Sequence, residues 1–439
     1  MNPANKGRRS FWAAAQFFFN KSFRKTLTAA ATKKVRKTLI GAAACAIFLA
    51  SCGTRTLPPQ TQYTFGTVCS INLYESGSAD LYAKLFARLR ELNDIFNNYS
   101  DSSEISLVNR EAAAAPVEVS QDFFVVLKTA LDFARLTGGA FDPTVGPLVK
   151  LWGFGKSPRV PSQEEIEAAQ KLVGWQCVAL QESAQTEDAP GQPEGFTGQN
   201  PANGNGSQDQ NAGDEQKTVT DQNPANDKGS QDQNAGDEQK TVTGQNPAAG
   251  PTVRFTKSGV RLDLGAIAKG YAADCLVDIL RERGVQRASL SLGGNVYVYG
   301  KKPGGSLWNV AIRDPSKPGQ NAFMLKTRDA TVVTSGAYER FFVQDGKTYG
   351  HILDPATGFP AQSGLASVTI VSQNSMVADA LSTSLFVLGK EKIPAIKKSA
   401  LAGDFDCVLV DESGKAYASE NLKGRLSALN GQPIEWLPQ

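Results

Sequence analysis

Histidine is almost missing from this chain: 439 residues hold one, His351. Any imidazole proton transfer near neutral pH must therefore run through that position. Cysteine is sparse and scattered (Cys45, Cys52, Cys69, Cys177, Cys275, Cys407), with no C-x-x-C pair and no metal-ligand spacing, which argues against a zinc site. Acidic residues are missing from positions 1–51, where ten Lys or Arg stand. Without that segment 36 basic residues face 43 acidic ones, a balance of −7, which argues against nucleic-acid binding, for which a basic face is needed. Aliphatic residues are nearly missing from 182–250, a stretch rich in Gly, Asn, Gln, Asp and Pro. A repeat of 23 residues runs there from Gly198 to Thr220 and again from Asp221 to Thr243. Its period suits a solenoid, but Val219 and Val242 give it almost no apolar face, so it reads as a disordered, duplicated insertion.

What is present begins with an export signal. The apolar run from Leu39 to Ala50 follows a basic flank and is too short to span a bilayer, as in the h-region of a signal segment. Leu49-Ala50-Ser51-Cys52-Gly53 resembles the lipobox of bacterial lipoproteins, which implies cleavage before Cys52 and acyl chains on its sulfur. The expected organisation is a leader at 1–51, a tether at 52–63, a first folded part at 64–181, the insertion at 182–250 and a second folded part at 251–439.

Helical periodicity covers Asp80–Asn97, with Leu81, Leu85, Leu89, Leu92 and Phe96 on one side. A second helix spans about Ser120–Thr137, and Ser162-Gln163-Glu164-Glu165 opens a third with a capping box. Ser103–Ser106 reads as a turn, and Val260–Gly265 as a strand running into a glycine turn. Helices follow at Ala266–Arg283 and Met376–Leu388. Short strands are expected at Phe65–Tyr74, Ala288–Leu292, Val296–Tyr299, Trp308–Ile312, Ala330–Thr334, Glu339–Gln344, Ser367–Val371, Cys407–Asp411 and Lys415–Ala418. With few helices between them, they predict an α+β fold of mixed, largely antiparallel sheets with packed helices.

His351 ends one such strand, with turn chemistry at Asp354-Pro355 and Thr357-Gly358 and Asp354 three residues on as a candidate to orient the ring. Glycine-rich turns at Ala140–Gly146, Asp263–Gly270, Ser291–Asn295 and Ser335–Tyr338 pair close backbone approach with a fixed acid or hydroxyl. Lys269 adds a positive charge. Asp379 and Thr383, four apart on one helix face, form a candidate hard-cation pair.

Taken together, Phe65-Gly66-Thr67, Asn98-Tyr99-Ser100, Ala140-Phe141-Asp142-Pro143-Thr144, Leu262–Tyr271, Ser291–Asn295, Thr334-Ser335-Gly336, His351–Gly358 and Ala378–Thr383 stand in an order and spacing that resembles the ApbE family of FAD:protein FMN transferases. The resemblance covers about Thr64–Gly389 outside the insertion. It implies Mg²⁺-dependent transfer of FMN from FAD to a threonine hydroxyl of a partner protein, with AMP released. The alternatives on the same scaffold are an FAD pyrophosphatase and a flavin-binding lipoprotein without turnover. Carried over, the Mg²⁺ ligands are Asp379, Thr383 and the Ala266 carbonyl. The FAD contacts are Phe65 (where the family often has methionine), Tyr99, Ala140, Phe141, Asp142, Asp263, Lys269 and Leu353. His351 matches the family's catalytic histidine and, as the one side chain of near-neutral pKa, is the candidate base for the threonine hydroxyl. The implied partner is a membrane redox subunit, and the implied location is the bacterial cell envelope, on the periplasmic or outer side of a membrane.

Overall fold

The computed structural model describes residues 57–154, 156–182 and 250–438. The export leader, Cys52 and the repeats lie outside the described residues. In chain order, β1 (Gln60–Thr64) and β2 (Thr67–Asn72) precede α1 (Ala79–Phe96), α2 (Glu104–Glu111), β3 (Val117–Glu118) and α3 (Gln121–Leu136). Then come α4 (Gly146–Trp152), α5 (Gln163–Gln170), β4 (Val178–Gln181), β5 (Thr252–Phe255) and α6 (Ala268–Glu282). Seven strands follow: β6 (Ala288–Leu292), β7 (Asn295–Tyr299), β8 (Trp308–Arg313), β9 (Asn321–Thr327), β10 (Ala330–Gly336), β11 (Phe341–Gln344) and β12 (Lys347–Gly350). The chain closes with β13 (Leu365–Ser372), α7 (Ser375–Leu388), α8 (Ile393–Ile396), β14 (Asp406–Asp411), β15 (Ala416–Ser419), β16 (Leu426–Ala428) and β17 (Ile434–Leu437).

Nine strands form the main sheet in the order β1-β2-β6-β7-β10-β13-β14-β15-β17. Every pairing in it is antiparallel except β15 with β17, so the expected α+β class holds. Alternation along each strand splits its side chains between two cores. Val333, Ile370 and Leu409 face the helices and join Leu85, Leu89, Phe123, Leu276 and Leu381 in the main core. Val332, Val371, Val408 and Val410 face the other way, onto Trp308, Val310, Phe323 and Leu325 of the three-stranded sheet β16-β9-β8. Each fully buried Leu, Val or Phe contributes roughly 1.5–3 kcal/mol.

Caps set the helix starts. Ser78, Ser103, Ser120 and Ser162 each accept an N–H of the first turn, and Ser162 with Glu165 completes the capping box. Three expectations change. Ser103–Ser106 is not an isolated turn but the start of α2, whose Ile105 and Val108 reach the core. Gln60–Thr64 is not tether but edge strand β1, whose polar sequence reflects pairing on one side only. Val260–Leu264 is no ladder strand; Arg261 makes one bridge, to Val145.

The ends of the insertion meet. Gln181 at the end of β4 pairs with Thr252 at the start of β5, in a small sheet with β3. The described residues on either side of the insertion are therefore neighbours in one ladder, and a long insertion at such a point costs little because loop-closure entropy grows only logarithmically.

Candidate active site

The site stands at the end of the main sheet where β1 turns into β2, β6 into β7, and β10 runs out. Phe65 and Gly66 both hold positive φ, 54° and 65°, as a two-residue turn of this hand requires. A phenylalanine there is strained, and its N–H is held by Asn93 Oδ1 at 3.1 Å. Beside it, Gly293 packs so tightly on Thr67 that a Cβ would lie 2.5 Å from Thr67 Cγ2. Asn295, buried one residue beyond the glycine pair, carries a side-chain N–H group with no acceptor among the described residues. Arg340, just after β10, reaches this turn: a Cβ on Gly66 would meet its Nη2 at 3.9 Å.

The carboxylate side of the site is built where α6 and α7 meet. Gly270 allows the approach, since a Cβ there would stand 2.2 Å from the Ser375 carbonyl oxygen. Asp274, on the next turn of α6, accepts the N–H groups of Ser375 (2.9 Å) and Met376 (2.8 Å) and so fixes the start of α7. Burial pushes the Asp274 carboxyl up to about 7. Asp379 is then buried facing α6: its Oδ2 accepts the Gly270 N–H at 3.0 Å and lies 3.5 Å from Lys269 Nζ. By helix register the Gly270 N–H would reach back to the Ala266 carbonyl. Its turn toward Asp379 leaves that carbonyl, like Asp379 Oδ1, without a hydrogen bond among the described residues. Thr383 lies one turn on, 3.2 Å from Ser335 Oγ at the end of β10. Among the described residues, no three His, Cys, Asp or Glu side chains group to hold a metal. The oxygens gathered here are one carboxylate, one hydroxyl and one freed carbonyl, a set that fits a hard cation keeping open positions.

His351 follows β12 and is half-buried. Its N–H and its Nδ1 both meet the Arg340 carbonyl oxygen, at 3.0 and 3.1 Å. A carbonyl only accepts, so Nδ1 carries the proton and Nε2 keeps its lone pair. Burial, then the charges of Arg340 and Lys269, hold the imidazole down at about 4, neutral at physiological pH. Asp354 does not orient it. The Asp354 carboxylate instead accepts the Ala356 N–H at 2.9 Å inside its own turn, and the Arg340 carbonyl fills the orienting role.

The remaining positions separate into two kinds. Asp263 is half-buried, its N–H on the Pro143 carbonyl (2.7 Å) and its Oδ1 on the Gly265 N–H (2.9 Å). Burial raises its carboxyl, against the pull of that N–H, Lys269, Arg340 and Arg261. Tyr99 is 60% exposed with Lys156 over its ring, a side chain free to stack. It is brought to Asp263 by Asn109, which bonds Asn98 and both backbone groups of Leu262. By contrast, Phe141 points into the main core against Phe133, and Leu353 packs with Leu148, Trp152 and Ile166. Their side chains are thus spent, and the N–H groups of Phe141 and Ala140 already donate to Thr137 Oγ1 (3.0 Å) and the Thr137 carbonyl (3.4 Å), which leaves those two residues their carbonyls. Asp142 is likewise occupied, accepting from Thr144 N–H and Oγ1 (2.8 and 2.6 Å) and from Trp175 N–H (3.0 Å).

Asn109, Trp152, Asp274 and Arg340 were not singled out in the sequence, because each acts on residues remote from it. Trp152 Nε1 donates to the Gly358 carbonyl at 2.8 Å and so docks the His351–Gly358 stretch onto α4. Only the aromatic Leu151-Trp152-Gly153-Phe154 cluster signalled it.

The sequence profile of the ApbE family matches residues 65–200 and 211–409. The chain belongs to the ApbE family. It is 32% identical over 397 residues to the FAD:protein FMN transferase of Treponema pallidum, covering 86% of this chain and 93% of that one. It is 28% identical over 372 residues to the enzyme of the same name from Vibrio cholerae, covering 83% and 91%. Among solved structures, flavin transferase ApbE from Vibrio cholerae superposes with a TM-score of 0.60 at 26% identity, over 84% of this chain and 98% of that one. The ApbE protein of Thermotoga maritima gives 0.61 at 29%, with the same coverage. The strained Phe65 turn, the glycine pairs and the α6–α7 contact thus belong to an ApbE scaffold.

Proposed function

We propose that this chain transfers the FMN part of FAD to a threonine hydroxyl of an acceptor protein and releases AMP. The observation that carries the reading is that a neutral His351 with a free Nε2 feels the charge of Lys269, whose Nζ stands 3.5 Å from the buried Asp379 carboxylate. Tyr99, Asp263 and the backbone of Ala140–Asp142 and Leu353 line the same region and supply the FAD contacts. Asp379, Thr383 and the Ala266 carbonyl would hold Mg²⁺, whose chemistry is to neutralise charge on the pyrophosphate. His351 Nε2 takes the proton from the threonine hydroxyl, whose oxygen attacks the FMN phosphorus. The phosphoanhydride bond breaks, and its electron pair leaves with AMP. Lys269 and Arg340 meet the negative charge that builds on the phosphates. A lipid anchor at Cys52 and a membrane redox subunit as acceptor complete the reading, supported by the lipobox and by the threonine chemistry.

The test is to incubate the protein with FAD, Mg²⁺ and a threonine-bearing acceptor, then to read the acceptor's intact mass and the released nucleotide. An FMN mass added to the acceptor with AMP released, and a fall of about 10²–10⁴-fold in His351→Ala, is the expected result. Free FMN and AMP with every acceptor unmodified would overturn transfer in favour of hydrolysis.

A further inference from the structure

A transferase of this kind needs a place to hold its protein acceptor beside His351, and the hairpin that ends at His351 has one side open. β11 and β12 form a two-stranded sheet of their own, joined by Asp345-Gly346 with both φ positive. Its inner face is anchored: Phe342 and Tyr349 stack at 5.3 Å and pack on Trp152. Its outer face is bare: Phe341 and Val343 are 53% and 60% exposed.

Hydrogen bonding in the hairpin fixes which backbone groups are spoken for. The His351 N–H donates to the Arg340 carbonyl, so that pair is a bonded one. Alternation then makes Phe342–Tyr349 and Gln344–Lys347 bonded pairs. The N–H and C=O groups of Thr348 and Gly350 consequently point away from β11. They have no partner strand among the described residues; Thr348 is exposed, while Gly350 is buried against Ala337. They look into a cavity of about 500 Å³, lined also by Ala337, Ile352, Phe386 and Glu412. A free strand edge above a cavity of this size is the geometry of strand addition.

Resting on the transferase reading above, we infer that the acceptor protein docks by adding an extended segment to the free edge of β12, with Phe341 and Val343 covered by the body of the same acceptor. The occupant follows from continuity. β12 runs directly into His351, and an added strand lies about 4.8 Å away, so the acceptor residue passing Gly350 comes alongside the imidazole. A second copy of this chain on the same edge would block His351 instead of feeding it.

Thr348→Pro tests the pairing, because it deletes an outward N–H that the hairpin itself does not use. The acceptor is first the protein domain that the wild-type chain flavinylates, then a synthetic peptide of about twelve residues centred on the modified threonine. Thr348→Pro is expected to raise KM for both by about tenfold, the worth of one hydrogen bond with its neighbours disturbed. FAD affinity should hold. Thr348→Val keeps the N–H and should restore KM to within about twofold. An unchanged KM in Thr348→Pro, or an equal loss in Thr348→Val, overturns the inference.

Amide exchange on the wild-type protein gives an answer independent of any variant. The exposed Thr348 N–H should exchange slowly only when the peptide is added. Fast exchange with peptide bound, or protection before it is added, overturns the inference as well. If the wild-type chain modifies no acceptor at all, the transferase reading falls first, and that failure is seen before any variant is made.

Discussion

Asp142 and Asp379 are buried to similar depth, 8% and 3% exposed, and use their oxygens in opposite ways. Asp142 gives both to its own neighbourhood, tying Thr144 and Trp175 into one loop. Thr144 Oγ1 then receives the Gly174 N–H at 2.7 Å, so the knot is closed on itself. Asp379 spends one oxygen on Gly270 and Lys269 and leaves the other unbonded beside a freed carbonyl. In sequence each is a lone aspartate between uncharged residues, Phe141 and Pro143 in one case and Ala378 and Ala380 in the other. What separates them is whether the fold has saturated the carboxylate, and an unsaturated buried carboxylate is costly unless a cation or ligand completes it.

The sharpest way to break this comparison is to remove each carboxylate in turn. Asp379→Ala should lower FMN transfer by more than about 10³-fold while the protein stays folded, because a ligand of the cation that would neutralise the pyrophosphate is lost. Asp142→Ala should do the reverse: about 2–3 kcal/mol of stability lost through the orphaned Trp175 and Thr144 donors, with transfer per folded molecule within about tenfold. Urea unfolding and a transfer assay on the same samples separate the two. An Asp142→Ala protein that is fully stable yet inactive would show that its carboxylate, and not the nearby backbone, meets FAD.

Next in size is the α6–α7 contact that holds Asp379 in place. Gly270→Ala puts a methyl against the Ser375 carbonyl and must push the helices apart. The expected cost is about 1–3 kcal/mol. A fall in transfer of about 100-fold should accompany it, since displacements near 1 Å disturb reacting geometry that much. Equal transfer in Gly270→Ala and wild type would mean that the spacing of these helices does not set the site.

How far the sequence speaks for itself follows the same division. Serine caps, heptad-like leucines in α1 and the short alternating strands are local signals, and they placed most elements within a residue or two. The eight ordered motifs likewise named the family. What stayed hidden is what depends on remote partners. Trp152 bonds a carbonyl 206 residues away, and Asn109 one 153 away. Asp354, only three residues from His351, invited a pairing that the chain does not make, because a turn aspartate finds its own backbone first. The polar strand β1 passed for tether because an edge strand need not be apolar.

The smallest effect concerns pH, and it sets His351 against Asp274. Folding lowers the His351 pKa to about 4 from an unfolded value near 6.5. The unfolded chain therefore binds the extra proton between those values, and His351 contributes stability that is complete above about 6.5 and lost as pH falls toward 4. Folding raises Asp274 to about 7 from an unfolded value near 3.9. Here the folded chain binds the extra proton, so stability is greatest in acid and declines as pH rises through about 7. Across pH 4–6.5 the two slopes oppose each other. Asp274→Asn should unmask the histidine, giving stability that rises with pH in that window, and His351→Gln should unmask the aspartate, giving stability that falls. Urea midpoints at pH 5, 6.5 and 8 read both slopes. If neither variant differs from wild type in slope, then neither group titrates differently in the folded protein. The neutral His351 on which proton transfer rests would then owe nothing to its burial or to Arg340.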